Sequence, residues 1–257
     1  MTEVILICAF CSLVVFTILW WIQLKTKNAT LVDVAWSFGV GTVSAVLAFH
    51  ASGAIPRRWV LVGLTTIWSL RLGGHLFFDR VLGNKKEDVR YAKLRKEWSQ
   101  AKFYFLYVVQ AALVILLPLT LLGAFNNSSS FPGLLDFLGL TVWIAAIAGE
   151  SIADAQLAAF RKNPVNKGKT CRSGLWKYSR HPNYFFEWLI WCAYLPLAIG
   201  SPLVWVSWMG PALLLFLLLK VSGIPPTEAG SIESRGDEYR EYQRTTNAFI
   251  PGRPRHD

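Results

Sequence analysis

The feature that most constrains this chain is a series of long, nearly uncharged stretches, each long enough to cross a lipid bilayer as a helix. Such a helix needs about 20 mostly apolar residues. Seven candidate spans follow one another along the sequence: residues 4–22, 30–54, 59–78, 103–125, 134–160, 183–200 and 203–221. Charged residues make up only 16% of the chain, against about 25% in soluble domains. The sequence therefore predicts an all-α, polytopic membrane protein with about seven transmembrane helices, in a single integral membrane domain covering residues 1–257.

The positive charge of the chain is distributed unevenly between the two sides that these spans define. The net charge is +10, with 26 Lys and Arg residues. Of these, 22 lie on one side, in alternate loops and the tail, whereas only Arg57 and Arg58 lie on the other. Because Lys and Arg are enriched in cytoplasmic loops, the pattern predicts an external N-terminus and a cytoplasmic C-terminus, in the inner membrane if the protein is bacterial. Most of the charge then sets topology, and no nucleic-acid partner is expected.

Several ionisable residues fall inside or at the ends of the apolar stretches, where they are costly and are candidates for function. They are Asp33, Arg71, His75, Glu150, Asp154, His181 and Glu187. Their number indicates a polar cavity near the cytoplasmic half of the bilayer. Simpler roles stay open. Glu150 and Asp154 share a helix face and can pair with Arg71 to fix helix packing. His75 can be a structural hydrogen-bonding group, and Asp33 can cap the start of its helix.

The most unusual part of the sequence is the polar segment 174–184, which reads Gly-Leu-Trp-Lys-Tyr-Ser-Arg-His-Pro-Asn-Tyr. Pro182 suits the first turn of a helix, whose free N–H groups bind anions. Arg180, His181 and Asn183 add charge and hydrogen-bond donors. The segment predicts a ligand site. The alternative is an interfacial anchor, because Trp, Tyr and Arg collect at the level of the lipid headgroups.

The C-terminal tail carries Glu228 and then Tyr239 and Tyr242, three residues apart. This spacing predicts a short amphipathic helix. The helix can lie on the membrane surface or cover a cytoplasmic pocket as a lid, and both interpretations stay open. Segments 161–181 and 223–257 are the cytoplasmic parts expected to contribute to a cofactor pocket.

The second half of the chain contains a set of motifs that together resemble a known family. They are Ala153-Asp154-Ala155-Gln156-Leu157, Phe160-Arg161, Gly174-Leu175-Trp176, Arg180-His181-Pro182-Asn183-Tyr184, Val221-Ser222-Gly223, Glu228, Tyr239-Arg240-Glu241-Tyr242 and Phe249-Ile250-Pro251. Through them the sequence is similar to a bacterial family of uncharacterised multispan proteins of the steroid 5-alpha-reductase superfamily, by its C-terminal domain. The resemblance implies a seven-helix membrane fold. It also implies an enzyme that holds NADPH in a cytoplasmic-side cavity and reduces a carbon–carbon double bond conjugated to a ketone.

The resemblance carries cofactor contacts over to particular residues. Asp154, Arg161 and Asn183 fall on cofactor-contacting positions. The turn beginning at Pro182 matches a Pro-Asn-aromatic-x-x-Glu motif, except that Phe186 replaces the usual Gly. The expected cofactor-binding residues are Glu150, Asp154, Arg161, Arg180, His181, Asn183, Tyr184, Glu187, Glu228, Tyr239 and Tyr242. The seven cationic residues between positions 161 and 180 would supply charge for the phosphates of the cofactor.

The substrate end departs from the superfamily pattern. Steroid reductases carry a Gln-Glu pair in span two, where Asp33 and Val34 stand here. They also use a Tyr in span three to polarise the substrate ketone, but residues 59–78 contain no Tyr and Arg71 lies near that position. The expected catalytic residues are therefore Asp33, Arg71 and His75, acting on a hydrophobic small molecule or lipid that enters from the bilayer.

Two other functions stay open at this point. Isoprenylcysteine carboxyl methyltransferases and phospholipid methyltransferases use S-adenosylmethionine and have a similar Arg-His-Pro-x-Tyr turn with a late acidic residue, here Glu228. A transporter or lipid-binding scaffold would explain charges buried in helices, although the two halves show no repeat. The spacing of Asp154, Arg161 and Asn183, together with the cationic run, favours the NADPH-dependent reductase.

Overall fold

The computed structural model describes residues 1–83 and 87–255, without the side chains of Arg80 and Val89. Lys85 and Lys86, which belong to the predicted cationic loop after span three, lie outside the described residues. Throughout the described part the chain is helical and contains no strand. The expected all-α architecture is confirmed.

The helices are named here in chain order. They are α1 (Thr2–Thr26), α2 (Leu31–His50), α3 (Ile55–Leu76), α4 (Val89–Glu97), α5 (Gln100–Leu119), α6 (Leu122–Phe125), α7 (Leu134–Lys162), α8 (Pro182–Cys192), α9 (Tyr194–Ala198), α10 (Val204–Ser207), α11 (Met209–Phe216), α12 (Ile224–Arg235) and α13 (Asp237–Thr245). Two helices continue as wider π turns, α3 into Phe77–Gly83 and α11 into Leu217–Val221. A 3-10 turn, Gly174–Lys177, lies in the loop before α8.

Within the described residues, six helical stretches are long and apolar enough to cross a membrane. They are Thr2–Thr26, Leu31–His50, Ile55–Asp79, Gln100–Phe125, Leu134–Lys162 and Val204–Arg235. Each corresponds to one of the predicted spans. The protein is therefore a multi-pass integral membrane protein, as the sequence predicts.

The predicted span at residues 183–200 takes a different form, so that the long helices number six rather than seven across the described ranges. It divides into α8, of 11 residues, and α9, of 5 residues, on either side of Ala193. Pro196 has no N–H to donate to the carbonyl of Cys192, where α8 ends. At about 1.5 Å per residue, α8 is about 17 Å long, which is shorter than the roughly 30 Å hydrocarbon core of a bilayer.

The chain forms two compact units, of which the first comprises Met1–Pro132 and Ala198–Ser207. Its core lies where α2 packs against α3 and α5. A Cβ atom at Gly41 would lie only 2.6 Å from Cβ of Ser69, so glycine allows α2 and α3 to approach closely. The Ser69 hydroxyl then donates a hydrogen bond to the carbonyl of Ser37 at 2.9 Å. Small residues therefore bring the two helices into direct contact.

The second unit comprises Gly133–Leu197 and Trp208–Asp257 and is built on α7, against which α8 packs. Pro182 stands in the first turn of α8, as predicted. A Cβ atom at Gly149 would lie 2.4 Å from Cε1 of Phe186, so the glycine on α7 leaves the space that this ring fills. The departure of Phe186 from the family's usual Gly is thus accommodated by a small residue on the facing helix.

Gly149→Ala is expected to destabilise the protein by about 1–3 kcal/mol, the usual cost of overpacking a filled space. In a double-mutant cycle, Phe186→Ala should cost less in the Gly149→Ala background than in the native chain. Thermal unfolding in detergent measures both changes. Gly63→Ala is the matched control, because a Cβ atom there meets nothing within 4 Å and alanine favours a helix. Equal losses of Tm for Gly149→Ala and Gly63→Ala would contradict this packing.

Candidate functional site

A carboxylate with several internal donors lies at the centre of the polar region of the second unit. Glu228 of α12 accepts hydrogen bonds from Nε of Arg180 and from Nε2 of Gln243, each at 2.7 Å. Nε2 of His181 lies 3.2 Å from the same carboxylate, and the Tyr239 hydroxyl lies 3.5 Å from it. A carboxylate has about four acceptor positions. Because most of them are filled by the protein's own side chains, Glu228 connects the loop before α8 to the tail.

Arg180 extends this connection to the backbone of the tail. Its NH1 group donates to the carbonyls of Gln243 at 3.1 Å and Thr246 at 2.5 Å. Its backbone N–H donates to the carbonyl of Asn247 at 2.8 Å. The fixed fork of a guanidinium matches such a set of acceptors well. Arg180, which the sequence predicts to contact the cofactor, is therefore held on several sides by the protein itself.

The tail helix α13 packs on the loop before α8 through its two tyrosines, both of which are buried. The Tyr242 hydroxyl donates to the carbonyls of Trp176 and Ser179. The Ser179 hydroxyl in turn donates to the carbonyl of Phe249 at 2.8 Å. The predicted amphipathic helix is confirmed, and its apolar face is turned toward this loop.

Two residues 29 positions apart meet where α7 faces the start of α8. Nδ2 of Asn183 donates to Oδ1 of Asp154 at 3.2 Å, and Oδ1 of Asn183 accepts the N–H of Tyr184 at 3.0 Å. The Tyr184 hydroxyl shares a hydrogen bond with Oγ1 of Thr227 at 3.1 Å. All four side chains are half-buried. This hydrogen bond joins α7 to the start of α8 at these two side chains.

His181 precedes this pair, and its ring is parallel to that of Tyr184, with centroids 5.3 Å apart. Burial lowers the pKa of His181 below its ordinary value, although the hydrogen bond to Glu228 acts in the opposite direction. The ring is therefore neutral at pH 7. Since a carboxylate only accepts hydrogen bonds, Nε2 carries the proton and Nδ1 is left as an acceptor.

The other predicted acids lie on the membrane helices. Glu150 is buried on α7, one turn before Asp154. Glu187 is buried on α8 and accepts a hydrogen bond from Nε1 of Trp191 at 3.2 Å. These two carboxylates thus lie within the helix packing of the second unit.

The cationic run between positions 161 and 180 divides into two groups. Arg172 and Arg180 are paired with acidic residues of α12 and α13: Arg172 with Glu238 and Glu241, at 3.5 Å each, and Arg180 with Glu228. The side chains exposed to solvent are Arg161, Lys162, Lys167, Lys169 and Lys177. Only this second group presents its charge at the surface.

The first unit holds the predicted catalytic residues. Asp33 lies in the first turn of α2 but is not its cap, because the helix is preceded by Thr30. Oδ1 of Asp33 accepts the Tyr91 hydroxyl at 2.5 Å, and Oδ2 accepts NH2 of Arg90 at 3.0 Å. Burial and the charge of Asp33 raise the pKa of Tyr91 well above its ordinary value, so its hydroxyl stays protonated. Asp33 is therefore bound to the first turn of α4.

The other two predicted catalytic residues lie one turn apart on α3. Arg71 is half-buried and His75 is exposed. Both residues lie on the same helix, as the sequence predicts. Neither side chain is among the groups bound to Asp33 by the hydrogen bonds described above.

Sequence reasoning did not single out Tyr91 or Arg90, nor Gln243 in the tail. Tyr91 and Arg90 lie in the first turn of α4, a short charged helix in which no apolar periodicity marks a site. A signal for Gln243 was available, because it lies four residues after Tyr239 and thus on the same helix face.

Comparison with known proteins identifies the family to which this chain belongs. Residues 19–246 match the model of a family described as "Protein of unknown function (DUF1295)". The chain belongs to this family. The DUF1295 family is typically of the steroid 5-alpha-reductase-like superfamily, which agrees with the resemblance of the motifs.

Two relatives and the solved structures complete the comparison. This DUF1295 protein is 26% identical to the "Uncharacterized protein C594.04c" of Schizosaccharomyces pombe, over 93% of this chain and 77% of the relative. A "Probable O-methyltransferase ustE" of Ustilaginoidea virens is 35% identical over 69 residues, which span 27% of this chain and 24% of the relative. No solved structure matches the chain.

Glu228→Gln is expected to loosen the tail, because a neutral amide cannot compensate Arg180 in this partly buried place. Removing one member of a buried ion pair costs about 3–5 kcal/mol, and the 14% exposure of Glu228 puts the effect at or below the lower end of that range. Amide hydrogen exchange of residues 237–252 measures it. Glu241→Gln is the control, since this acid is 50% exposed and exposed pairs contribute little. Unchanged exchange in Glu228→Gln would show that the carboxylate does not hold the tail.

Proposed function

We propose that this protein is an integral-membrane reductase that uses NADPH to reduce a carbon–carbon double bond conjugated to a carbonyl in a hydrophobic substrate, a steroid or another lipid. The observation that carries the proposal is the hydrogen bond between Asn183 and Asp154. It joins two positions that the resemblance assigns to the cofactor. Membership of the DUF1295 family supports the same assignment at the level of the superfamily.

The chemistry of the second unit fits a phosphate-rich cofactor. The half-buried Asn183 and Asp154 can hydrogen-bond to amide or hydroxyl groups, and the ring of Tyr184 offers a flat apolar face. The exposed Lys167 and Lys169 can pair with phosphates. When bound, NADPH supplies the hydride for the β carbon of the conjugated bond. The protein's own contribution is to bind and orient the cofactor.

The hydrogen bonds within the site reduce the number of residues that we expect to contact the cofactor. Glu228 and Arg180 are engaged with one another and with the tail, so we assign them to positioning the turn rather than to the cofactor. Arg161, Lys162 and the two lysines after them supply the surface charge for the phosphates. In this proposal His181, neutral and with Nδ1 as an acceptor, is available to a donor on the ligand.

At the substrate end, we propose that Tyr91 takes the role that the sequence assigned to Arg71 or His75. Its protonated hydroxyl is held by Asp33, which Arg90 also binds. The hydroxyl has one proton, which it donates to Asp33 here. In this role it turns that proton to the substrate's carbonyl oxygen, where a donor stabilises the negative charge that develops when the β carbon is reduced. A proton from water then completes the product at the α carbon. Tyr91 thus supplies the aromatic hydroxyl that span three lacks.

A second candidate is an S-adenosylmethionine-dependent membrane methyltransferase. The observation that favours it is the 69-residue likeness to a protein named as a probable O-methyltransferase. That likeness covers about a quarter of either chain. The reductase remains our first proposal because the charge near α7 suits a cofactor with several phosphates.

The cofactor is the first test of the proposal. In detergent, NADPH is expected to raise the Tm of the purified protein, and S-adenosylmethionine is not, because a ligand at 100 times its Kd adds about 2.7 kcal/mol of stability. Asn183→Ala and Asp154→Asn should each weaken NADPH binding about tenfold, the cost of roughly one lost hydrogen bond. Asn163→Ala, an exposed asparagine at the end of α7, is the control. A Tm rise with S-adenosylmethionine alone would replace the reductase by the methyltransferase.

The role of Tyr91 is tested separately. With NADPH and a lipid enone, Tyr91→Phe is expected to lower kcat/KM by about 10²–10³, the usual loss for one donor to a developing oxyanion. The NADPH-induced Tm rise should be kept, since the change lies in the first unit. Tyr104→Phe is the control, a half-buried tyrosine whose hydroxyl meets Thr17 instead. If both variants lose activity equally, Tyr91 has no special role.

A further inference from the structure

The loop before α8 and the end of the tail lie side by side. The N–H of Gly252 donates to the carbonyl of Tyr178 at 2.9 Å. One residue later in the loop, the Ser179 hydroxyl donates to the carbonyl of Phe249, which precedes Gly252 by three residues, at 2.8 Å. These bonds bring Lys177 and Tyr178 next to the segment from Ile250 to Arg253.

The side chains at this contact combine exposed apolar surface with positive charge. Ile250 is 64% exposed and Tyr178 is 43% exposed. Lys177 and Arg253 are also exposed. An isolated exposed apolar residue needs no explanation, but here two of them are flanked by two cations in one small area.

The position of Phe249 indicates the depth of this area. Its ring lies 5.8 Å from the rings of both Phe185 and Trp188, in the first two turns of α8. Trp188 in turn donates through Nε1 to the carbonyl of Pro211 at 3.1 Å, in a membrane-spanning stretch of the second unit. Ile250 therefore follows a residue that packs on the first two turns of α8, at the start of the predicted span 183–200. At that level aromatic and basic side chains meet the headgroups of the bilayer.

We propose that Lys177, Tyr178, Ile250 and Arg253 form a lipid-docking surface for anionic headgroups of the bilayer in which the protein sits. The two cations match the lipid phosphates, each with about a fivefold gain in affinity near an anionic surface. The two apolar side chains enter the boundary between headgroups and acyl chains.

The lipid-docking surface is directly connected to the candidate site. Arg180 and His181 follow Tyr178 in the loop, and the tail that carries Ile250 supplies the carbonyls that hold Arg180. Lipids that bind Lys177 and Arg253 together hold the loop and the tail against each other. Anionic lipid is thus expected to slow the opening of the tail. This inference does not depend on whether the cofactor is NADPH or S-adenosylmethionine.

The test uses the full-length protein in nanodiscs of phosphatidylcholine, with or without phosphatidylglycerol. Phosphatidylglycerol is expected to be enriched around the native protein in native mass spectrometry and to slow amide exchange at residues 249–253. Lys177→Gln/Arg253→Gln should weaken this enrichment about 25-fold, from the fivefold effect of each cation. Lys162→Gln/Lys167→Gln is the matched control, since it removes two exposed cations outside the lipid-docking surface. Ile250→Ser should reduce the protection from exchange without changing the charge.

Three results would overturn the proposal. One is enrichment of phosphatidylglycerol that is the same in Lys177→Gln/Arg253→Gln as in the native protein. Another is an equal loss in both double variants, which would assign the effect to general charge. The third is protection of residues 249–253 by added polyglutamate but not by phosphatidylglycerol, which would assign the surface to an acidic protein. All variants change exposed side chains, and an unchanged Tm confirms that each is folded.

Discussion

The ion pair between Arg180 and Glu228 is the interaction on which the polar part of the second unit depends. It joins the loop before α8 to α12, 48 positions later in the chain. Gln243 and Thr246 add tail atoms to the same two charged groups. Because desolvated charges are costly without partners, the loop, α12 and the tail are stable only together. His181 and the first turn of α8 take their positions from this arrangement.

This dependence gives the Arg-His-Pro-x-Tyr turn a structural role that is independent of the proposed cofactor. Reductases and methyltransferases share an Arg-His-Pro-x-Tyr turn and a late Glu. Here Arg180 and Glu228 bind each other, and Pro182 opens α8. Those residues build the turn through contacts within the protein, whichever of the two proposed cofactors is considered. The features that distinguish the two cofactors lie instead in the polar pair of α7 and α8 and in the surface charge after α7.

Features that depend on residues close together in the sequence could be predicted, whereas contacts between distant residues could not. Hydropathy and residue spacing are properties of one continuous stretch of sequence, so the six long helices and the helix with Tyr239 and Tyr242 were predictable. The expected span breaks at Ala193 because of Pro196. An average of hydropathy over a window of residues does not detect a single proline. The bond between Asp33 and Tyr91 joins residues 58 apart on two different helices, and no periodic pattern indicates such a contact. The resemblance assigned both Asp154 and Asn183 to the cofactor site, but only the structure shows that their side chains form a hydrogen bond.

The carbonyls that complete the surroundings of Arg180 belong to Gln243, Thr246 and Asn247, close to the end of the chain. During translation these residues are synthesised after the membrane helices. The loop before α8 is therefore synthesised 63 residues before the first of the carbonyls that hold its guanidinium. A chain that lacks residues 243–247 can therefore insert its membrane helices and still leave Arg180 without these acceptors.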